Sequence, residues 1–99
     1  MKHKKELWGR CIEILTKELP VLRKMIGLTQ KDLADILGVS RQTITNIESG
    51  AGKMKWSLFL AIMFIFDLDY NTSEYLKTID IPYTELKEWL INERGKKRG

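Results

Sequence analysis

Ninety-nine residues make one domain with room for a single modest core, and a hydrophobic fraction of 43% argues against disorder over the body of the chain. The single cysteine, Cys11, excludes an internal disulfide and a cysteine metal cluster, and the single histidine, His3, sits in a lysine-rich start with no converging ligands. The net charge of +4 is unevenly spread: residues 23–55 hold six Lys/Arg against three acids, residues 56–93 two against seven, and both ends are basic, so a polyanion would meet the centre and the tails rather than the whole surface.

Met1 to Lys5 reads as a basic, frayed end that either solubilises the chain or touches phosphate. Leu7, Trp8, Cys11, Ile12 and Leu15 recur at helical spacing and predict an amphipathic helix from Leu7 to Lys17. Leu19-Pro20 is expected to end it, because proline lacks the N–H and restricts the residue before it. A new helix from Pro20 to Ile26 would bury Leu22, Met25 and Ile26 and stop at Gly27. Thr29 can cap a further helix by accepting from the N–H of Asp32, with Leu33, Ile36 and Leu37 as its buried stripe and Ala34 small enough for a close crossing. Gly38 ends that helix, Val39 pins a turn of about three residues, and Ser40 caps the next helix, in which Ile44 and Ile47 face in. Arg41, Gln42, Thr45 and Asn46 face out. That outward face has no apolar residue and carries three fork or amide side chains, the groups that can bond two atoms of one base edge. The alternative is a plain solvated helix face.

After Gly50 a small loop presents Lys53 and Lys55, a natural place for phosphate contact. Trp56 to Phe66 is apolar almost all round, so one side must meet the earlier helices and the other the C-terminal part or a second subunit. Trp56, Phe59, Met63 and Phe66 are the candidate dimer interface. At about 1.5 Å per residue this run is too short to cross a bilayer, and no apolar stretch follows the basic start, so neither a membrane span nor a secretory leader is expected. Asp67 to Thr72 reads as a polar turn, and Asn71 with Glu74 as the cap of a short helix burying Tyr75 and Leu76. Ile79 to Tyr83 is the only β-like stretch, weakened by Pro82. Tyr83, Leu86, Trp89 and Leu90 predict a last amphipathic helix to about Asn92, followed by a disordered basic tail.

Residues 22–50, LRKMIGLTQKDLADILGVSRQTITNIESG, resemble the helix-turn-helix of the phage-repressor and Cro (Xre-type) family. The resemblance rests on Leu22-Arg23, Gly27-Leu28-Thr29-Gln30, Leu33-Ala34, Leu37-Gly38-Val39-Ser40, Ile44 and Ile47-Glu48-Ser49-Gly50. It implies an all-α bundle of about five to seven short helices with a lambda-repressor-like core. It also implies roles. Arg41, Gln42, Thr45 and Asn46 would read bases in the major groove, and Gln30, at a helix N-terminus, would hold a phosphate with Ser40, Thr43, Lys53 and Lys55. Arg23 and Glu48 match a structural ion pair. The expected division is a single domain over 1–99. It comprises an extra N-terminal helix (6–18), a core (20–68) with a positioning helix (29–37) and a recognition helix (40–49), a helical extension (72–92) and a basic tail (94–99). Family members often start near the equivalent of Pro20, so the added helix is this chain's own.

The expected function is a cytoplasmic, sequence-specific regulator, a repressor, binding double-stranded DNA as a homodimer on a near-palindromic operator. The alternative is an antitoxin-type or other protein-interaction module, which would use the same motif for autoregulation and a toxin or other protein as partner. No nucleophile–base pair, metal cluster or Gly-rich phosphate loop is present in the sequence, so neither an enzyme nor a cofactor is expected.

Overall fold

The computed structural model describes the backbone of residues 2–98 and the side chains of residues 5–95. The described residues form six helices: α1 (Lys2–Met25), α2 (Gln30–Leu37), α3 (Arg41–Ser49), α4 (Trp56–Leu68), α5 (Tyr70–Leu76) and α6 (Tyr83–Arg98). No strand occurs among the described residues. The β-like stretch at Ile79–Tyr83 is instead two successive tight turns, with the Ile81 N–H donating to the Ile79 carbonyl at 2.9 Å and the Tyr83 N–H to the Ile81 carbonyl at 2.8 Å.

The largest departure from the sequence reading is α1. The two helices expected on either side of Leu19-Pro20 are one helix of 24 residues with Pro20 inside it. An interior proline costs about 3 kcal/mol. A continuous helix, however, keeps Leu7, Cys11, Leu15, Leu19 and Leu22 on one buried stripe. Burying leucines 15, 19 and 22, all with zero exposure, contributes about 1.5–3 kcal/mol each. Packing therefore outweighs the lost hydrogen bond. Met25, expected inside, is 40% exposed at the end of this helix.

The helices after α1 are bounded as their caps dictate. Thr29 Oγ1 accepts from the Asp32 N–H at 3.0 Å and the Asp32 carboxylate accepts from the Thr29 N–H at 3.0 Å, a complete capping box. Gly38 closes α2 at φ 73°, the left-handed region that suits glycine. Val39 then bonds back to the Ala34 carbonyl, and Ser40 Oγ caps α3 through the Thr43 N–H at 3.1 Å. Leu33 and Ala34 meet Ile44 and Ile47 in the core. Ile36, expected in the stripe, is 54% exposed. The buried face of α2 is centred between Leu33 and Ala34, and Ile36 projects about a quarter-turn outside it.

The cap expected at Asn71 lies two residues earlier. Asp69 ends α4 and starts α5, accepting from the Thr72 N–H at 3.0 Å. Thr72 is fully buried and its hydroxyl donates to the Phe66 carbonyl at 2.6 Å, so the α4–α5 junction is a hydrogen-bonded corner rather than a loose polar turn. The final helix runs past Asn92 to Arg98. The basic start is likewise helical from Lys2, and Met1 and the side chains of residues 2–4 and 96–99 lie outside the described residues.

A tryptophan cluster ties the added helices to the core. Trp8 of α1 stacks on Trp56 of α4 with centroids 4.4 Å apart, Trp89 of α6 meets Trp8 edge-on at 5.6 Å, and Trp56 stacks on Phe59 at 4.7 Å. An Arg10–Glu85 ion pair joins α1 to α6, and the Tyr75 hydroxyl donates to Glu18 at 2.5 Å, joining α5 to α1. The candidate dimer-interface residues are engaged within the single chain to different degrees. Phe59 and Phe66 are 2% and 0% exposed in the single chain, and Trp56 and Met63 pack against the core. Phe59 and Phe66 are thus taken up by the core of the single chain, whereas Trp56 and Met63 are half-buried.

Candidate nucleic-acid interface

α3 presents its polar side chains at two depths. Arg41 and Gln42 are exposed at its N-terminal end, whereas Thr43, Thr45 and Asn46 are half-buried. Ile44 and Ile47 anchor the opposite face in the core. Gln42 Nε2 donates to Asn46 Oδ1 at 2.8 Å, one turn on, so the two amides form a joined platform. Ser40 Oγ and Thr43 Oγ1 lie 2.9 Å apart at the N-cap. The structure thus brings Arg41, Gln42, Thr45 and Asn46 onto one outward face, with Ser40 and Thr43 at its leading edge.

Beneath that face lies a buried ionic network. Arg23 grips Glu48 in a fork, Nε to Oε2 and Nη2 to Oε1, each at 2.9 Å, with 11% and 8% of the two side chains exposed. Arg23 Nη1 also donates to the Leu28 carbonyl at 3.0 Å, which fixes the turn between α1 and α2. Gln30 Nε2 donates to Glu48 Oε1 at 3.0 Å, and Thr45 Oγ1 donates to Gln30 Oε1 at 2.9 Å. Burial pushes the Glu48 carboxyl up, but the bonds from Arg23 and Gln30 outweigh it and hold it below the ordinary glutamate range. The Glu48 bond holds the Arg23 guanidinium above its ordinary value. Both partners are charged at neutral pH.

Gln30 accordingly sits at the N-terminus of α2 as expected, but both ends of its amide are engaged inward. The sequence carries a signal for this. Gln30, Leu33, Ala34 and Leu37 follow the i, i+3, i+4, i+7 pattern, so Gln30 shares the inner face of α2.

Two further features were not singled out from sequence. A shallow cleft of about 620 Å³ beside the α2 N-terminus is lined by Lys24, Thr29, Lys31 and Arg41, among others. It brings α1 and α3 cations to a helix end whose free N–H groups favour anions. Lys31 is partly engaged with Asp35 at 3.0 Å. The second feature is Gly52. Its N–H donates to the Asn46 carbonyl at 3.0 Å, and a Cβ there would come within 3.2 Å of Asn46 Cβ. A side chain at 52 would crowd the end of α3 by a few tenths of an ångström, next to the loop residues Lys53 and Lys55, both exposed. Among the described residues no three His, Cys, Asp or Glu side chains are grouped as a metal site would need, and no helix is long and apolar enough to cross a membrane.

Comparison with known proteins agrees with this geometry. Residues 22–55, from the buried Leu22 next to Arg23 to the loop lysine Lys55, match the family model described as Helix-turn-helix. No curated protein and no solved structure matches the chain. The matched segment holds α2, α3, the capped turn between them and both partners of the Arg23–Glu48 pair. Over these residues, about a third of the chain, the protein carries a DNA-binding helix-turn-helix similar to that of the phage-repressor and Cro (Xre) type.

Proposed function

We propose that the protein is a transcriptional repressor that reads a near-palindromic operator in double-stranded DNA as a homodimer, laying α3 of each copy in the major groove. The observation that carries this is the face of α3: Arg41, Gln42, Thr45 and Asn46 project from a helix whose other side is locked by Ile44, Ile47 and the Arg23–Glu48 fork. Arg41 can bond guanine O6 and N7 together, and the Gln42–Asn46 platform suits adenine N6 and N7. Ser40, Thr43, Lys53 and Lys55 supply phosphate contacts that set register, with Lys24 added from the cleft beside α2.

The second copy docks on the outer stripe of α4. Leu60, Phe64 and Leu68, spaced four apart, are 51%, 65% and 70% exposed, and Tyr70 beside them is 76% exposed. At these exposures the four residues offer roughly 500 Å² per chain. Two copies would bury about 1,000 Å² on these residues alone, the lower edge of a specific interface. Pairing also doubles the contacted bases, which one short helix cannot do alone.

Selection of bound sequences from random duplex DNA tests the reading, with Arg41→Ala as the probe. The expected result is an enriched two-fold-related sequence, and a loss of about 1–3 kcal/mol at one base position per half-site in the variant. Failure to enrich any sequence would refute specific binding. Sedimentation of the wild type and Phe64→Glu tests the pairing separately. A monomeric wild type at micromolar concentration would refute the second copy as occupant of the α4 stripe.

A further inference from the structure

Gln30 is spent on a hydrogen-bond chain that runs from the core to the surface of the recognition helix. Glu48 is an ionised carboxylate and can only accept. The Gln30 amide must therefore turn its NH2 toward Glu48, as the 3.0 Å contact shows, and its carbonyl toward Thr45. That carbonyl can only accept, so the Thr45 hydroxyl must donate to it, at 2.9 Å. A helical threonine ordinarily spends its hydroxyl proton on the carbonyl one turn back or leaves it to rotate. Here the proton is committed, and what Thr45 can still offer to DNA is oxygen lone pairs. Resting on the reading of α3 as the base-contacting helix, we infer that Gln30 is a positioning residue that makes Thr45 an acceptor-only reader, selecting a base with an exocyclic amine in the major groove at one position of each half-site.

The consequence for recognition is chemical. Adenine N6 and cytosine N4 present amine protons in the major groove, whereas guanine presents only the acceptors N7 and O6. A freely rotating threonine would accept all of them. A threonine whose proton is fixed elsewhere favours adenine or cytosine and is repelled by guanine. The direction is set far from the DNA, by the charge on Glu48 and the fork from Arg23. The neighbouring Gln42–Asn46 pair, in which Gln42 Nε2 donates to Asn46 Oδ1 at 2.8 Å, has no charged acceptor to fix its direction, so the constraint is particular to Thr45.

The test is selection from a random duplex DNA library with the full-length wild type, Gln30→Met and Thr45→Val, read base by base. Methionine keeps the length of glutamine without either hydrogen-bonding end, and valine keeps the shape of threonine without the hydroxyl. The wild type is expected to discriminate adenine or cytosine from guanine at one position per half-site by about three- to tenfold, the worth of one hydrogen bond. Gln30→Met should flatten that position alone. Thr45→Val should flatten the same position, and the double variant should add nothing further.

A uniform loss of affinity in Gln30→Met, with every base preference intact, would overturn the inference and return Gln30 to a phosphate-contacting role. Loss at a position that Thr45→Val leaves untouched would also overturn it. Absence of any enriched sequence for the wild type would instead overturn the DNA-reading assignment on which the inference rests. If Gln30→Met fails to fold, as circular dichroism would report, Thr45→Val decides alone: unchanged discrimination against guanine refutes the acceptor role.

Discussion

Replacing Glu48 by alanine removes the acceptor of three hydrogen bonds at once, two from the Arg23 fork and one from Gln30. Arg23 keeps only the Leu28 carbonyl, in a site where its side chain is 11% exposed. At about 1.5 kcal/mol for each charge-assisted bond, three bonds come to about 4–5 kcal/mol. That agrees with the roughly 3–5 kcal/mol cost of leaving one member of a buried pair uncompensated. A domain of this size holds about 5–15 kcal/mol in total, so the variant should sit close to the edge of folding. With a urea slope of about 1–3 kcal/mol per molar, the midpoint should fall by about 2 M at pH 7. Replacing both charges, Arg23→Met with Glu48→Leu, should recover most of the loss, since an apolar pair carries no desolvation cost. The pH dependence has a fixed sign. The Glu48 carboxyl titrates below its unfolded value, so its stabilisation is present above the ordinary glutamate range and is lost as pH falls through the lowered value. Wild type should therefore lose stability on the acid side more steeply than the apolar double variant. A midpoint shift under about 0.5 M for Glu48→Ala, or a double variant no better than the single one, would refute the account of the pair as scaffold.

Other outcomes follow from the same structure. Lys53→Ala and Lys55→Ala should each weaken binding to all DNA sequences alike and reduce the slope of log affinity against log salt by about one, measured by fluorescence anisotropy; an unchanged slope removes that lysine from the phosphate contacts. Pro20→Ala should raise stability by about 2 kcal/mol, the interior-proline cost less the extra freedom of the unfolded chain, and a loss in thermal unfolding would mean that the ring at 20 shapes α1. Cys11 is fully buried, and burial pushes its thiol from 9.0 to about 11. Iodoacetamide should label it slowly at pH 8 in the native protein and rapidly in urea. Because the folded value is the higher one, stability should decline as pH rises from about 9 towards 11, and a flat profile there, compared with Cys11→Ala, would contradict the burial.

The helix-turn-helix was legible because its signals are local. Thr29 with Asp32, Gly38, Ser40 and Gly50 each fix a helix end through bonds to residues within four positions, so spacing alone is informative. The ion pair Arg23–Glu48, 25 residues apart, came through family resemblance and not through spacing. Pro20 misled for the opposite reason. Its local rule is sound, but the leucines before and after it are buried together with helices that lie far along the chain, and no local pattern carries that energy. Trp8, Trp56 and Trp89 are invisible as a cluster in the sequence because each is only one member of its own helical stripe.

α4 shows why the core side and the outer side of an apolar helix cannot be told apart from sequence. A helix that is apolar on every face has almost no periodicity from which to choose a direction. Phe59, Ile62 and Phe66 fill the core, while Leu60, Phe64 and Leu68, one position along from the first and two on from the others, remain outside. What separates the two stripes is the partner supplied by α1, α2 and α5, not the residues themselves. The same reasoning relocated Gln30. A polar residue at a helix start looks like a ligand for phosphate, yet its place on the inner face of α2 sets it against Glu48 and Thr45. In both cases the chemical type of the side chain was read correctly and its direction was decided by a neighbouring helix. The polar surface of α3 is therefore set as much by the face that α2 turns toward α3 as by the residues of α3.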